Sequence, residues 1–120
     1  MPLELKRVYD EPGPRDGRRV LVDRVWPRGL SKEDAHVDEW LRELGPSTGL
    51  RKWFGHDPAR WEEFRRRYRA ELSEPHQRER LQRLGDIAKQ GPVSLLYGAK
   101  DREHNQAAVI AEILRASKIA

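Results

Sequence analysis

Leu3 and Leu5 alternate with Glu4 and Lys6 ahead of Val8 and Tyr9, and this period of two predicts a first strand over residues 3–9 with one wetted face. The next stretch, DEPGPRDG over residues 10–17, is a cluster of turn formers with two prolines and reads as a loop. A second strand is predicted over residues 18–25, where the continuous run Val20, Leu21, Val22 points to burial on both faces. It must stop before Pro27, because the residue preceding a proline is restricted and proline donates no ladder hydrogen bond. Asp23, Arg24 and Arg28 are therefore charges set where a buried strand ends. The loop is too short and too rich in proline for a crossover helix. The first two strands are expected either to join through an irregular connection or to form an antiparallel edge.

Helical spacing dominates the remainder. Ser31 is placed to cap a short helical start at residues 32–34, after which Val37, Trp40, Leu41 and Leu44 recur at helical intervals over residues 36–44. A short third strand around residues 35–37 competes with that reading, and Gly45-Pro46 stops the segment either way. Residues 47–55 read as irregular. Asp57 is an N-cap with Pro58 at the first helical position, and Trp61, Phe64, Tyr68 and Leu72 then form one aromatic face, with Arg60, Arg65, Arg66, Arg67 and Arg69 around the rest. A second helix is expected over residues 75–89, carried by Leu81, Leu84, Ile87 and Ala88. Residues 93–97, VSLLY, lie between Pro92 and Gly98 and predict a central buried strand; a last helix, apolar nearly all round, is expected to open at or near Asp101 and run through Arg115. Strands separated by helices imply an α/β fold: a single small domain over residues 1–120, with a mostly parallel sheet of about three to five strands and helices packed on it.

Composition bounds this picture without changing it. A chain of 120 residues supports one core, and the four Trp together with the periodic segments argue against the disorder that 37% charged residues raise as an issue. Cysteine is absent, which excludes disulfides, thiolate metal sites and a cysteine nucleophile and suits a reducing compartment. No stretch has the form of a signal peptide or approaches the about 18 apolar residues of a membrane span, so a cytoplasmic protein with no membrane partner is expected. The net charge of +4 is a mild excess of interleaved charges and argues only weakly for nucleic acid.

Several motifs resemble a known family. VYDEP, DGRRVLVDRVWPRG, DEWLRELGPS, LRKWFGHDPARWEEFRRRY and LLYGAKDREHNQAAVIAEIL, together covering nearly all of residues 7–114, are similar to the YeaO-like proteins, short members of the domain-of-unknown-function family 488. The resemblance implies one small, soluble, intracellular α/β domain. It supplies no catalytic residues, so candidate roles come from chemistry.

Open α/β sheets bind ligands beyond the carboxyl ends of their strands. If the second and last strands are parallel neighbours, Asp23, Arg24, Trp26 and Arg28 share a rim with Gly98, Lys100, Asp101, His104 and Asn105. Arg24 and Arg28 would clamp an anion, Lys100 and the start of the last helix would neutralise it, and Asp23 or His104 would move protons in a catalytic version. Asn105 has no evident capping duty and is assigned to the pocket, whereas Asp101 reads as a helix cap, Asp23-Arg24 equally as an internal ion pair or loop cap, and Trp26 as core. Arg51 and Lys52 beside Trp53 and Phe54 could grip a phosphate, with His56 available for proton exchange, although a loop pinned by two buried aromatics is the simpler account of Trp53 and Phe54. His36, His56, His76 and His104 lack metal-ligand spacing, and no Walker or dinucleotide fingerprint occurs. A triad drawn from Ser47, a histidine and an aspartate has no nucleophile elbow to support it. The expected function is a pocket for a small phosphate- or carboxylate-bearing ligand, with an enzyme acting on a phosphorylated or nucleotide-like substrate as one form of it. A nucleic-acid binder using the arginines of residues 58–72 and a protein-interaction module are the rivals, while cofactor and oligomeric state stay open.

Overall fold

Val93–Tyr97 is buried at every position, and in the computed structural model, which describes residues 3–117, it is the central strand around which the sheet forms. Numbered in chain order, the elements are β1 (Leu3–Arg7), β2 (Arg18–Leu21), α1 (Lys32–Ala35), β3 (Glu39–Trp40), α2 (Thr48–Phe54), α3 (Trp61–Leu72), α4 (Pro75–Gln90), β4 (Val93–Tyr97) and α5 (Gln106–Ser117). The sheet order is β1-β4-β2-β3, and all three pairings are parallel. An α/β architecture with a parallel sheet is thus what the alternation of patterns produces. The antiparallel-edge alternative fails: β1 and β2 lie on opposite sides of β4, and residues 8–17 carry the chain across without a helix.

The period of two sorts the strands onto two faces. Leu3, Val20, Val22, Val93, Leu95 and Tyr97 join the larger cluster with Phe54, Phe64, Tyr68, Leu72, Leu84, Ile110 and Leu114 from the helices. Val8, Leu21, Ala35 and Leu96 form a smaller cluster covered by Trp26, Leu30, Val37 and Trp40. On that second face Arg19, only 4% exposed, donates to Asp16 at 2.5 Å and to the carbonyls of Ala35 and His36, each at 2.9 Å. A buried guanidinium needs such a complete set of acceptors.

Three further segments depart from expectation, and tertiary partners account for the first two. Residues 36–44 do not form a helix. His36 ends α1 in the left-handed region, and the amides of Asp38 and Leu41 donate to the carbonyls of Arg19 and Leu21, which draws Glu39–Trp40 onto the sheet edge. The short strand therefore lies a few residues beyond 35–37, and a 3₁₀ turn, Arg42–Leu44, follows it. Residues 47–55 are not irregular. Ser47 caps α2 by accepting from the Leu50 amide at 3.2 Å, and Gly55, at φ 53°, closes it in the left-handed conformation that glycine adopts without a Cβ clash. Glu71 on α3 holds the Ser47 amide at 2.9 Å and its hydroxyl at 2.5 Å, so this cap depends on a residue far along the chain. Finally, α5 opens at Gln106 rather than near Asp101. Asp57 does cap the start at Pro58, through a 3₁₀ turn that leads into α3, and Ser31 caps α1 as expected.

Candidate functional site

Backbone direction gathers the site. Because β1, β4 and β2 are parallel, the residues leaving them, Tyr9, Gly98 and Asp23, all emerge at one edge of the sheet. There they border a cleft of about 730 Å³, to which α2 contributes Arg51 and Phe54 and the turn before α5 contributes Lys100, Asp101 and His104. Asp23, Arg24, Arg28, Arg51, His56, Lys100, His104 and Asn105 all line this one cleft, whereas Lys52, expected to grip a phosphate beside Arg51, is exposed and does not. Their situations within it differ sharply.

Asp23 sits at the inner end. The Gly98 amide donates to Oδ2 at 2.9 Å, and the Gln106 Nε2 donates to Oδ1. A Cβ on Gly98 would stand 2.8 Å from that carboxylate oxygen, so only glycine allows the approach. Burial raises the Asp23 carboxyl to about 6, partly offset by the Gly98 hydrogen bond and by the charge of Arg51. Arg24 follows the loop-cap alternative: Nε donates to the Pro46 carbonyl at 2.8 Å and a terminal nitrogen to that of Gly45, also at 2.8 Å. Its donors hold the loop after the 3₁₀ turn and are largely spent there.

Arg28 and Lys100 are exposed and form no ion pair among the described residues, and Arg51, equally exposed, acts on Asp23 through its charge alone. The backbone under Arg28 is well anchored: the Tyr9 hydroxyl donates to its carbonyl at 2.7 Å, and the Trp26 indole donates to Leu30 at 2.6 Å. Trp26 also packs edge-on against Trp40, with ring centroids 5.3 Å apart. His56 is exposed at φ 59°, with its ring 6.2 Å from that of Phe54.

The turn after β4 is organised by Asp101. One of its oxygens accepts the amides of Glu103 and His104, at 2.9 and 3.0 Å, while the other lies 2.8 Å from the His104 Nδ1. The His104 contact, with those amides, holds the Asp101 carboxyl down to about 2. Asp101 therefore caps this turn and not the helix. The helix cap is Asn105, 1% exposed, whose Oδ1 accepts the Ala108 amide at 2.9 Å and whose Nδ2 donates to the Asp101 carbonyl at 3.1 Å. This corrects the expectation that Asn105 lacks a capping duty: both polar atoms of its amide are engaged within the turn.

Gln106 was not visible as a site residue in the sequence. The available signal was Asn105 immediately before the apolar run AAVIAEIL, which marks a cap and makes Gln106 the first helical residue. Ser47, bound to Glu71, does not line the cleft, and among the described residues no serine, threonine or cysteine does. Trp53 is half-buried against the guanidinium groups of Arg60 and Arg67. Among the described residues no group of three or more His, Cys, Asp or Glu comes together as a metal site.

The chain is 48% identical to the uncharacterized protein YeaO of Escherichia coli over 96% of its own length and 98% of that protein's. It is 38% identical to the uncharacterized proteins Rv3073c of Mycobacterium tuberculosis and Mb3100c of Mycobacterium bovis, over 93% of this chain and 92% of each. No solved structure matches it. Residues 2–119 match the family described as the inactive DUF488-N3 subclade, and the chain belongs to that family.

Proposed function

We propose that the cleft at the strand ends binds a small anionic ligand, carrying phosphate or carboxylate, and that the protein holds this ligand without transforming it. The observation that carries this reading is the contrast between two sets of cations. On α3, Arg65 pairs with Glu112 at 2.9 Å, and Arg66 and Arg67 share Glu63 at 2.5 and 2.6 Å. At the cleft, Arg28, Lys100 and Arg51 form no ion pair among the described residues, and the charge of Arg51 reaches the inner Asp23. A planar guanidinium and an ammonium left open at a concave surface suit a multidentate oxyanion.

Binding without turnover is favoured by two things. The family is described as inactive, and among the described residues the cleft offers no hydroxyl or thiol nucleophile beyond the Tyr9 phenol, which is already bonded to the Arg28 carbonyl. Asp23 and His104 remain the groups a proton-transfer reading would use. The nucleic-acid alternative draws less support, because glutamates on α3 and α5 neutralise much of the arginine face it requires.

The test is thermal unfolding with inorganic phosphate. A ligand that binds the native state raises the midpoint by mass action. The wild-type midpoint is expected to rise with phosphate, and Arg28→Ala to lose most of that rise while keeping its ligand-free midpoint. An equal rise in both proteins would remove Arg28 from the reading.

A further inference from the structure

The cleft is not uniformly cationic, and its layout restricts what fits. Its cations, Arg28, Arg51 and Lys100, are exposed, whereas Asp23 lies inside, desolvated and bonded to Gly98 and Gln106. An anion filling the whole space would meet the Asp23 carboxylate. A ligand must instead keep its negative group at the mouth and present hydrogen-bond donors inward. The buried rings of Phe54 and Phe64, together with Trp26 and Pro27, give the space between these ends apolar walls. At about 730 Å³ the cleft far exceeds an isolated phosphate and falls within the range of small-molecule sites.

Resting on the reading of this cleft as an anion site, we infer that its ligand is a nucleoside monophosphate whose base directs N–H groups at Asp23 and whose phosphate lies among Arg28, Arg51 and Lys100. Each Asp23 oxygen accepts one hydrogen bond from the protein and keeps a further lone-pair direction, so the carboxylate can receive two adjacent donors. Gln106 sets the orientation of that carboxylate by donating to Oδ1, and its own amide oxygen accepts no hydrogen bond among the described residues. A base edge that mixes donors with an acceptor matches this pair. A flat ring also suits walls made of aromatic and proline side chains.

Calorimetric titration of the full chain with guanosine monophosphate, ribose 5-phosphate and inorganic phosphate tests the inference. Guanosine monophosphate is expected to bind at least about ten-fold more tightly than ribose 5-phosphate, as hydrogen bonds to a charged group are worth that much. Asp23→Asn and, independently, Gln106→Ala should bring the two ligands to similar affinity while ribose 5-phosphate binding holds or rises. Arg28→Ala should weaken both. Equal binding of the two ligands by the wild type, or a ratio unchanged in both Asp23→Asn and Gln106→Ala, would overturn the nucleotide assignment and leave the anion site standing. If none of the three phosphates binds the wild type, the anion reading itself falls and the inference with it.

Discussion

Asp23 is the residue at which folding and the cleft compete. Its side chain is bound by one backbone amide and one glutamine yet remains costly to ionise, because burial raises its carboxyl from 3.8 to about 6. An acid raised in this way binds its proton more tightly in the folded chain than in the unfolded one. At pH values below about 4 both states are protonated and there is no penalty. Between about pH 4 and 6 the unfolded chain ionises first, so stability falls as pH rises, and above about 6 the penalty is complete. A carboxyl raised that far costs the folded state about 3 kcal/mol once it is ionised. Asp23→Asn is therefore expected to raise stability at pH 7.5 by up to about 3 kcal/mol and to change it little at pH 3.5, since Gln106 can turn its amide over to accept from the new one. Urea denaturation at the two pH values measures this, and a variant that is less stable at pH 7.5 contradicts it.

At the scale of elements, what the sequence disclosed depended on where each segment's partners lie. β4 was legible to the residue because Pro92 and Gly98 bracket an apolar run, and α3 because Pro58 and the spacing of Trp61, Phe64, Tyr68 and Leu72 are local signals. β3 and α2 were not, since the first is held by carbonyls of β2 and the second is capped by a serine bound to Glu71 on α3. The site followed the same rule. The position of the candidate site at the strand ends was readable, and so were many of the residues lining the cleft, though not Gln106; the separation of Arg24 and Asn105, spent on backbone groups, from Arg28, Arg51 and Lys100 was not, because it depends on which carbonyls and amides come within reach. Asn105→Ala tests the assignment of its amide to the turn. Loss of the α5 cap is expected to cost about 1–2 kcal/mol in chemical denaturation. A change below a few tenths would mean that the cap bonds are not important to α5.

At the scale of the whole molecule, a parallel sheet brings the ends of β1, β4 and β2 to one edge, and the charges behind the net +4 are paired to different degrees across the surface. Opposite charges are interleaved along α3 and between α3 and α5, while the cleft keeps its cations open. Among the described residues no helix is long and apolar enough to cross a membrane. If the cleft binds an anion as proposed, this difference in pairing, and not the total charge, marks the binding surface. Titrating inorganic phosphate into isotope-labelled protein while recording amide chemical shifts tests it most directly. Saturable shifts are expected at the cleft alone, at Arg28, Arg51, Gly98 and Lys100 and their neighbours, with residues 61–72 unmoved. Shifts spread along α3, or none that saturate, would contradict it.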